Sequence, residues 1–355
     1  MSPEAAKAIA SLIASVMAFL GWGANDYVKY VPVEIQANST SSAVVTAPPS
    51  RKESKPKKPK IISKQPIVKK ISNPKVTAAP SPYEGEGWGE VNPVVNILCS
   101  LRTSNTLEQY TGSGVVIDPS GVIITNAHVA EHVLLAESGR ESCQIRTGSP
   151  AKNAYKAKVI YLPDAWIGSN RNNLSAQSLI GTGENDYAIL IITERTAIDA
   201  PNVPLLYLSL SEKSAASGDA ITLAGYPANF GNASLLDTAL YLLQKPSSIK
   251  SVFGFSGSGN DVIDTSATPL AERGSSGGAI IDSDGKLLGI MDSVIRDNFS
   301  SQNAIQGISI SYIKNSIQNN TGKTLNSFID NAASEAKSFE ANKVQYLSSM
   351  LTQGL

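Results

Sequence analysis

From residue 90 onward the apolar positions come in short runs, alternating or continuous, separated by turn-forming residues. VVNILCSLR, GSGVVIDPSG, VIITNAHV, CQIRTGS, AYKAKVIYL and DYAILII are followed by AITLAGYP, SVFGF, GAIIDSDGKLLGIM and AIQGISIS. Runs of this length and spacing predict the strands of an all-β sandwich or barrel. DPSG after GVVI and DSDG after GAII carry tight-turn chemistry, so each predicts a hairpin. The polar stretch SNRNNLSAQSLIGTG is too long for a hairpin loop and predicts a surface insertion. Toward the C-terminus the period changes. Leu325, Phe328, Ile329, Ala332, Phe339, Leu347 and Leu351 fall near helical spacing, which predicts an amphipathic helix over 324–355. That helix either packs on the folded domain or offers its apolar face to a protein partner.

The first part of the chain carries neither period. Ala8 to Asn25 is free of charge and bounded by Lys7 and Asp26; as a helix it spans about 27 Å, enough for a bilayer core. Trp22, Tyr27 and Tyr30 gather at its far end, where aromatic rings suit the headgroup level. Residues 1–30 thus predict a membrane anchor. The alternatives are a buried soluble helix and a cleaved signal peptide, the latter fitting less well because Trp22 falls where cleavage needs a small residue. Residues 31–85, rich in Pro, Ser and Lys, predict a disordered tether. The chain balances 30 Lys and Arg against 30 Asp and Glu, yet residues 51–75 alone carry +9, leaving −9 for the remainder. The basic character is therefore confined to the tether. Contact with anionic lipid, nucleic acid or cell-wall polymer is its sharper reading and a solvated tether the favoured one, and nucleic acid is not an expected partner of the acidic remainder.

Three segments carry candidate chemistry. A hydroxyl nucleophile needs a base, and the base works best when a buried carboxylate fixes its tautomer. GSGVVIDPSGVIITNAHV puts His128 directly after a strand pair, ENDYAILII puts Asp186 at the start of a strand, and ERGSSGGAII puts Ser276 in a glycine-rich turn before another. Asp164, in YLPDAW, is the rival carboxylate; the wholly apolar run after Asp186 favours Asp186. His128, Glu131 and His132 also spell H-x-x-E-H, a zinc-peptidase signature when it lies on a helix. The strand-like GVIIT before it and the lack of a third histidine argue against a metal.

GSGVVID with ITNAHV, DYAIL, GSSGGAIID with GKLLGI, and the late GISISYIKNSI resemble the trypsin-like serine peptidases, in particular their bacterial Deg/Htr-like branch without its C-terminal peptide-binding domain. The resemblance covers roughly residues 90–318. It implies two perpendicular six-stranded antiparallel β-barrels, the first over 86–205 and the second, with a terminal helix, over 206–323. It implies His128 as general base, Asp186 as its orienting partner, Ser276 as nucleophile, and the amides of Gly274 and Ser276 as an oxyanion hole. It places Leu270 near the floor of the specificity pocket and Gly307, Ile308 and Ser309 at the substrate, with no acid suited to Lys or Arg, so cleavage after small or medium apolar residues is expected. It brings the strands of Cys99 and Cys143 together, making a disulfide possible; such a bond would mark an oxidising compartment such as a periplasm. The segment entering the first barrel, GWGEVNPVVNIL, offers no motif for zymogen activation by a new terminus. The expectation is a membrane-anchored, exported serine endopeptidase acting on protein or peptide substrates without a cofactor or metal. The alternative is a silent barrel that binds peptides or serves a membrane complex.

Overall fold

The computed structural model describes residues 92–102, 107–170, 183–228, 240–257, 259–295 and 303–353. The first barrel is built from β1 (Val94–Arg102), β2 (Leu107–Asp118), β3 (Val122–Thr125), β4 (Ser142–Thr147), β5 (Lys152–Tyr161) and β6 (Ala188–Arg195), closed in the order β1-β2-β3-β6-β5-β4. The second uses β7 (Ala220–Gly225), β8 (Leu243–Phe253), β9 (Val262–Thr265), β10 (Ala279–Ile281), β11 (Leu287–Ile295) and β12 (Ala304–Ser309), closed as β10-β11-β12-β9-β8-β7. All the strand pairings are antiparallel. Both expected hairpins form: Gly121 N donates to Asp118 O, and Gly285 N to Asp282 O. β9 is an element the apolar pattern did not single out, because Asp264 interrupts its four residues.

The continuous apolar runs have a packing reason. Ile123 and Leu190 point into the first barrel with Ile97 and Val159, whereas their neighbours Ile124 and Ile189 join a second layer with Ala279, Ile281 and Ile290. Strands buried on both faces cannot alternate apolar with polar, and each buried aliphatic side chain contributes roughly 1.5–3 kcal/mol. Helix α1 (Ala127–Glu137) follows β3 and α2 (Asp164–Ser169) follows β5; α3 (Ile310–Thr321) leaves β12. Cys99 and Cys143 stand opposite each other in the β1–β4 pairing and are joined by a disulfide.

The C-terminal segment is not one helix. It divides into α4 (Leu325–Asp330), α5 (Ala332–Phe339), a π-helical turn (Glu340–Val344) and α6 (Gln345–Leu351). Leu325, Phe328 and Ala332 pack in the layer that holds Tyr161 and Tyr187, while Phe339, Val344, Leu347 and Leu351 pack with Val133, Leu134 and Trp166 of the first barrel. The segment changes surface within α5, where Ala336 packs in the first of these layers and Phe339 in the second. Its apolar face is thus used within the chain, and Lys158–Glu340 and Lys343–Asp164 ion pairs fasten its polar edge. The expected anchor, the tether and most of the 169–183 insertion lie outside the described residues. Among the described residues no helix is long and apolar enough to cross a membrane.

Candidate active site

α1 begins in the cleft side of the first barrel because Thr125 ends β3 and Asn126 takes an extended conformation as its N-cap. The first turn of any helix leaves amide hydrogens without helical partners. Here Asp186 supplies one: its Oδ1 accepts from His128 N at 2.9 Å, while its Oδ2 lies 2.7 Å from His128 Nδ1. One carboxylate therefore fixes both the backbone and the ring of His128. Asp186 is itself set by a tight turn in which its amide donates to Gly183 O at 3.1 Å and Asn185 adopts a φ of 66°. Asn126 Nδ2 adds a third tie, donating to Asp186 O at 2.9 Å. His128 and Asp186 are 2% and 3% exposed, so their contact is scarcely screened by water.

Ser276 approaches from the second barrel in the turn before β10. Two glycines shape that turn. Gly274 has φ 88°, and a Cβ there would lie 2.7 Å from Tyr226 O; Gly277 has φ 81°, and its Cβ would lie 2.1 Å from Ser113 O. Only glycine meets both the backbone and the space requirement. Ser113 of β2 clamps the turn across the two barrels: its amide donates to Ser276 O at 2.7 Å, its hydroxyl donates to Gly274 O at 2.8 Å, and that hydroxyl accepts from Tyr226 N at 2.9 Å. With these carbonyls tied down, the turn's remaining groups can face a substrate oxygen. The Ser276 hydroxyl donates to the Asp292 carbonyl at 3.0 Å.

Asp292 was not among the residues singled out from the sequence. A carboxylate oxygen of Asp292, one of Asp186 and a ring nitrogen of His128 lie within 4.8 Å of one another, all buried. Such a set could hold a cation, although the Asp186–His128 hydrogen bond already occupies part of that space with a proton. Ser113, Asn126 and Asp292 were legible only as parts of GSG, TNAH and IMDS, with no signal of their roles.

The H-x-x-E-H residues do lie on a helix, but their imidazoles have separate partners. His132 Nδ1 sits 3.1 Å from both Glu141 carboxylate oxygens, and its ring stacks on Tyr110 with centroids 3.9 Å apart. Burial, then the charge of Asp186, then that of Glu141 push the Glu131 carboxyl well above the usual range, which disfavours the ionised form. Asp164 is exposed on α2 and pairs with Lys343. Leu270 is fully buried among Ile221, Leu223, Ile263 and Ile280. Ile308 is likewise a core residue, Gly307 leaves no room for a Cβ beside Ile280 and Ile290, and Ser309 caps α3 by accepting from Tyr312 N. These four shape the second barrel from within, and their side chains do not present an open substrate wall.

The trypsin-like peptidase domain model matches residues 112–290, which hold His128, Asp186 and Ser276. No curated protein matches the chain. Among solved structures, an inactive form of the Rv3671c protease is 21% identical, with a TM-score of 0.40 over 64% of this chain and 89% of that one; so loose a superposition adds nothing to the family assignment. Matching about half of the chain and spanning both barrels, the family model decides the matter: the chain belongs to the trypsin-like peptidase family.

Proposed function

We propose that the protein is a serine endopeptidase in which His128 is the general base, Asp186 orients it, and Ser276 is acylated and then released by water. The observation that carries this reading is the double grip of Asp186 on His128, through Nδ1 at 2.7 Å and the amide at 2.9 Å. That grip holds Nδ1 as the donor and leaves Nε2 to take the serine proton. In the first step the Ser276 oxygen bonds to the scissile carbonyl carbon as His128 takes its proton. The imidazolium then gives that proton to the leaving amine, and water repeats the sequence to free the acid. The amides of Gly274 and Ser276 are the donors for the tetrahedral oxyanion, a role supported by the glycine-only conformation at 274.

The family resemblance, with no acid at the position of Leu270 and no histidine beyond His128 and His132, supports cleavage after small or medium apolar residues; a peptide library cleaved chiefly after Arg, Lys or Glu refutes this. The charge-free run from Ala8 to Asn25 supports an N-terminal anchor, and the Cys99–Cys143 bond supports an exported, oxidising location. Alkaline extraction of membranes that releases the full-length chain would overturn the anchor.

The test of the activity is fluorophosphonate labelling of the full chain beside its Ser276→Ala variant, with and without a chelator. Labelling that needs Ser276 and ignores the chelator is expected. A second reading, a latent or silent barrel, is favoured by the Ser276 hydroxyl donating to the Asp292 carbonyl; it predicts no labelling of the wild-type chain.

A further inference from the structure

Asp292 is the buried acid that the chemistry above leaves without a task. It follows the apolar run Leu287–Met291 in β11 and is 7% exposed, where a carboxylate is costly unless its surroundings use it. Its Oδ1 accepts from Asn126 Nδ2 at 3.0 Å. A Cβ at Gly183 would come within 2.9 Å of its Oδ2, so the carboxylate is seated between the residue that opens α1 and the turn that sets Asp186. Both arms of Asn126 Nδ2 thus join Asp292 to Asp186, and the 4.8 Å grouping with His128 completes the set.

We propose that Asp292 is a second acid for His128, a positioning residue whose charge, beside that of Asp186, makes the imidazole more basic and steadies the imidazolium during acylation. The inference rests on the serine-peptidase reading above. Two unit charges at this range in a poorly hydrated site interact several-fold more strongly than in water. The proton taken from Ser276 resides on the imidazole until the leaving amine receives it; Asp292 takes no part in that transfer and acts only through the field. Among the described residues, the other titratable groups on the packed elements are Glu131, His132 and Glu137 of α1, Glu141 before β4, Glu184 beside Asp186, Tyr187 at the head of β6, Arg273 in the nucleophile turn, and Lys314 and Tyr312 of α3, the last accepting from Asn185 N. Burial pushes the Glu131 and Tyr187 groups up, His132 is engaged by Glu141, and the two carboxylates gathered on the His128 ring are those of Asp186 and Asp292.

The experiment compares the full chain with Asp292→Asn, Asp292→Ser and Asp292→Glu. The pH dependence of kcat/KM is read on a peptide substrate, and the imidazoles are titrated by NMR. With two histidines in the chain, a His132→Gln background leaves His128 alone. Loss of the charge is expected to move the His128 titration and the acid limb of kcat/KM down by about one pH unit, and to lower the plateau roughly ten- to a hundred-fold. Asp292→Glu retains the wild-type limb. A plateau that falls in Asn and Ser variants while titration and limb stay put means a merely structural role and overturns the proposal. If neither neutral variant folds, the wild-type titration decides: a His128 midpoint at or below about 6.5 also overturns it. The titration needs no turnover, so it judges Asp292 even if labelling proves independent of Ser276; labelling that needs Ser276 with an unmoved titration sinks Asp292 alone.

Discussion

The two barrels hold the same number of strands but are stabilised by different means. The first encloses His128, Glu131, His132, Arg146 and Asp186, all nearly inaccessible, together with a disulfide and the packed C-terminal helices. The second contributes a turn whose form depends on glycines at positive φ, and its buried acids are Asp282, which organises the β10–β11 turn, and Asp292. A base depends on electrostatic surroundings, which require side chains held in place. A nucleophile depends on backbone shape, which requires side chains to be absent. On the serine-peptidase proposal, each barrel suits the part it would supply.

That contrast can be broken at either side. Asp186→Asn should cost about four orders of magnitude in kcat with the fold intact, as measured by turnover beside circular dichroism. On the other barrel, Gly277→Ala should cost more than about 4 kcal/mol or prevent folding, since the new methyl meets Ser113 O and Thr125 Oγ1; denaturant unfolding measures it. Replacing both Cys99 and Cys143 by Ser frees a 44-residue separation and should cost about 4 kcal/mol by loop entropy. A reductant should lower the unfolding midpoint of the wild type and leave the variant unchanged.

The smallest effect sharpens the electrostatic half of the comparison. Burial raises Glu137, at the end of α1, to about 7, against the lowering effect of its hydrogen bond from Val159 N and of Lys158. The folded chain therefore holds a proton that the unfolded chain releases near pH 4.5. Stability from this group is full below that pH and declines as pH rises to about 7. Glu137→Gln should match the wild type at pH 4 and exceed it by up to about 3 kcal/mol at pH 8. Equal gains at both pH values would remove titration as the cause.

Local pattern carried the strands, since alternation and turn residues are properties of neighbours in sequence. VVNILCSLR and DYAILII became β1 and β6, and DPSG and DSDG became hairpins. What failed depended on partners far along the chain. Asp292 reads as the polar end of an apolar strand until the fold brings it to Asn126, 166 residues away. Glu131 reads as a surface acid or a metal-motif member until α1 is packed beneath Asp186. Leu270 has the right distance from Ser276 for a pocket floor, and only the fold shows that its side chain lies in the core. The 324–355 spacing does mark helix, but the break at Asn331 and the π-helical turn leave no mark in apolar spacing.

The C-terminal packing sets an order of events. Phe339, Val344, Leu347 and Leu351 cover Val133 and Leu134 of α1, the helix that bears His128. A ribosome makes α1 more than 200 residues before it makes Leu347. Through synthesis, then, the helix carrying His128 stays incompletely covered until both barrels have emerged, so a chain cut short of α5 holds the strands of both barrels but seats His128 less firmly.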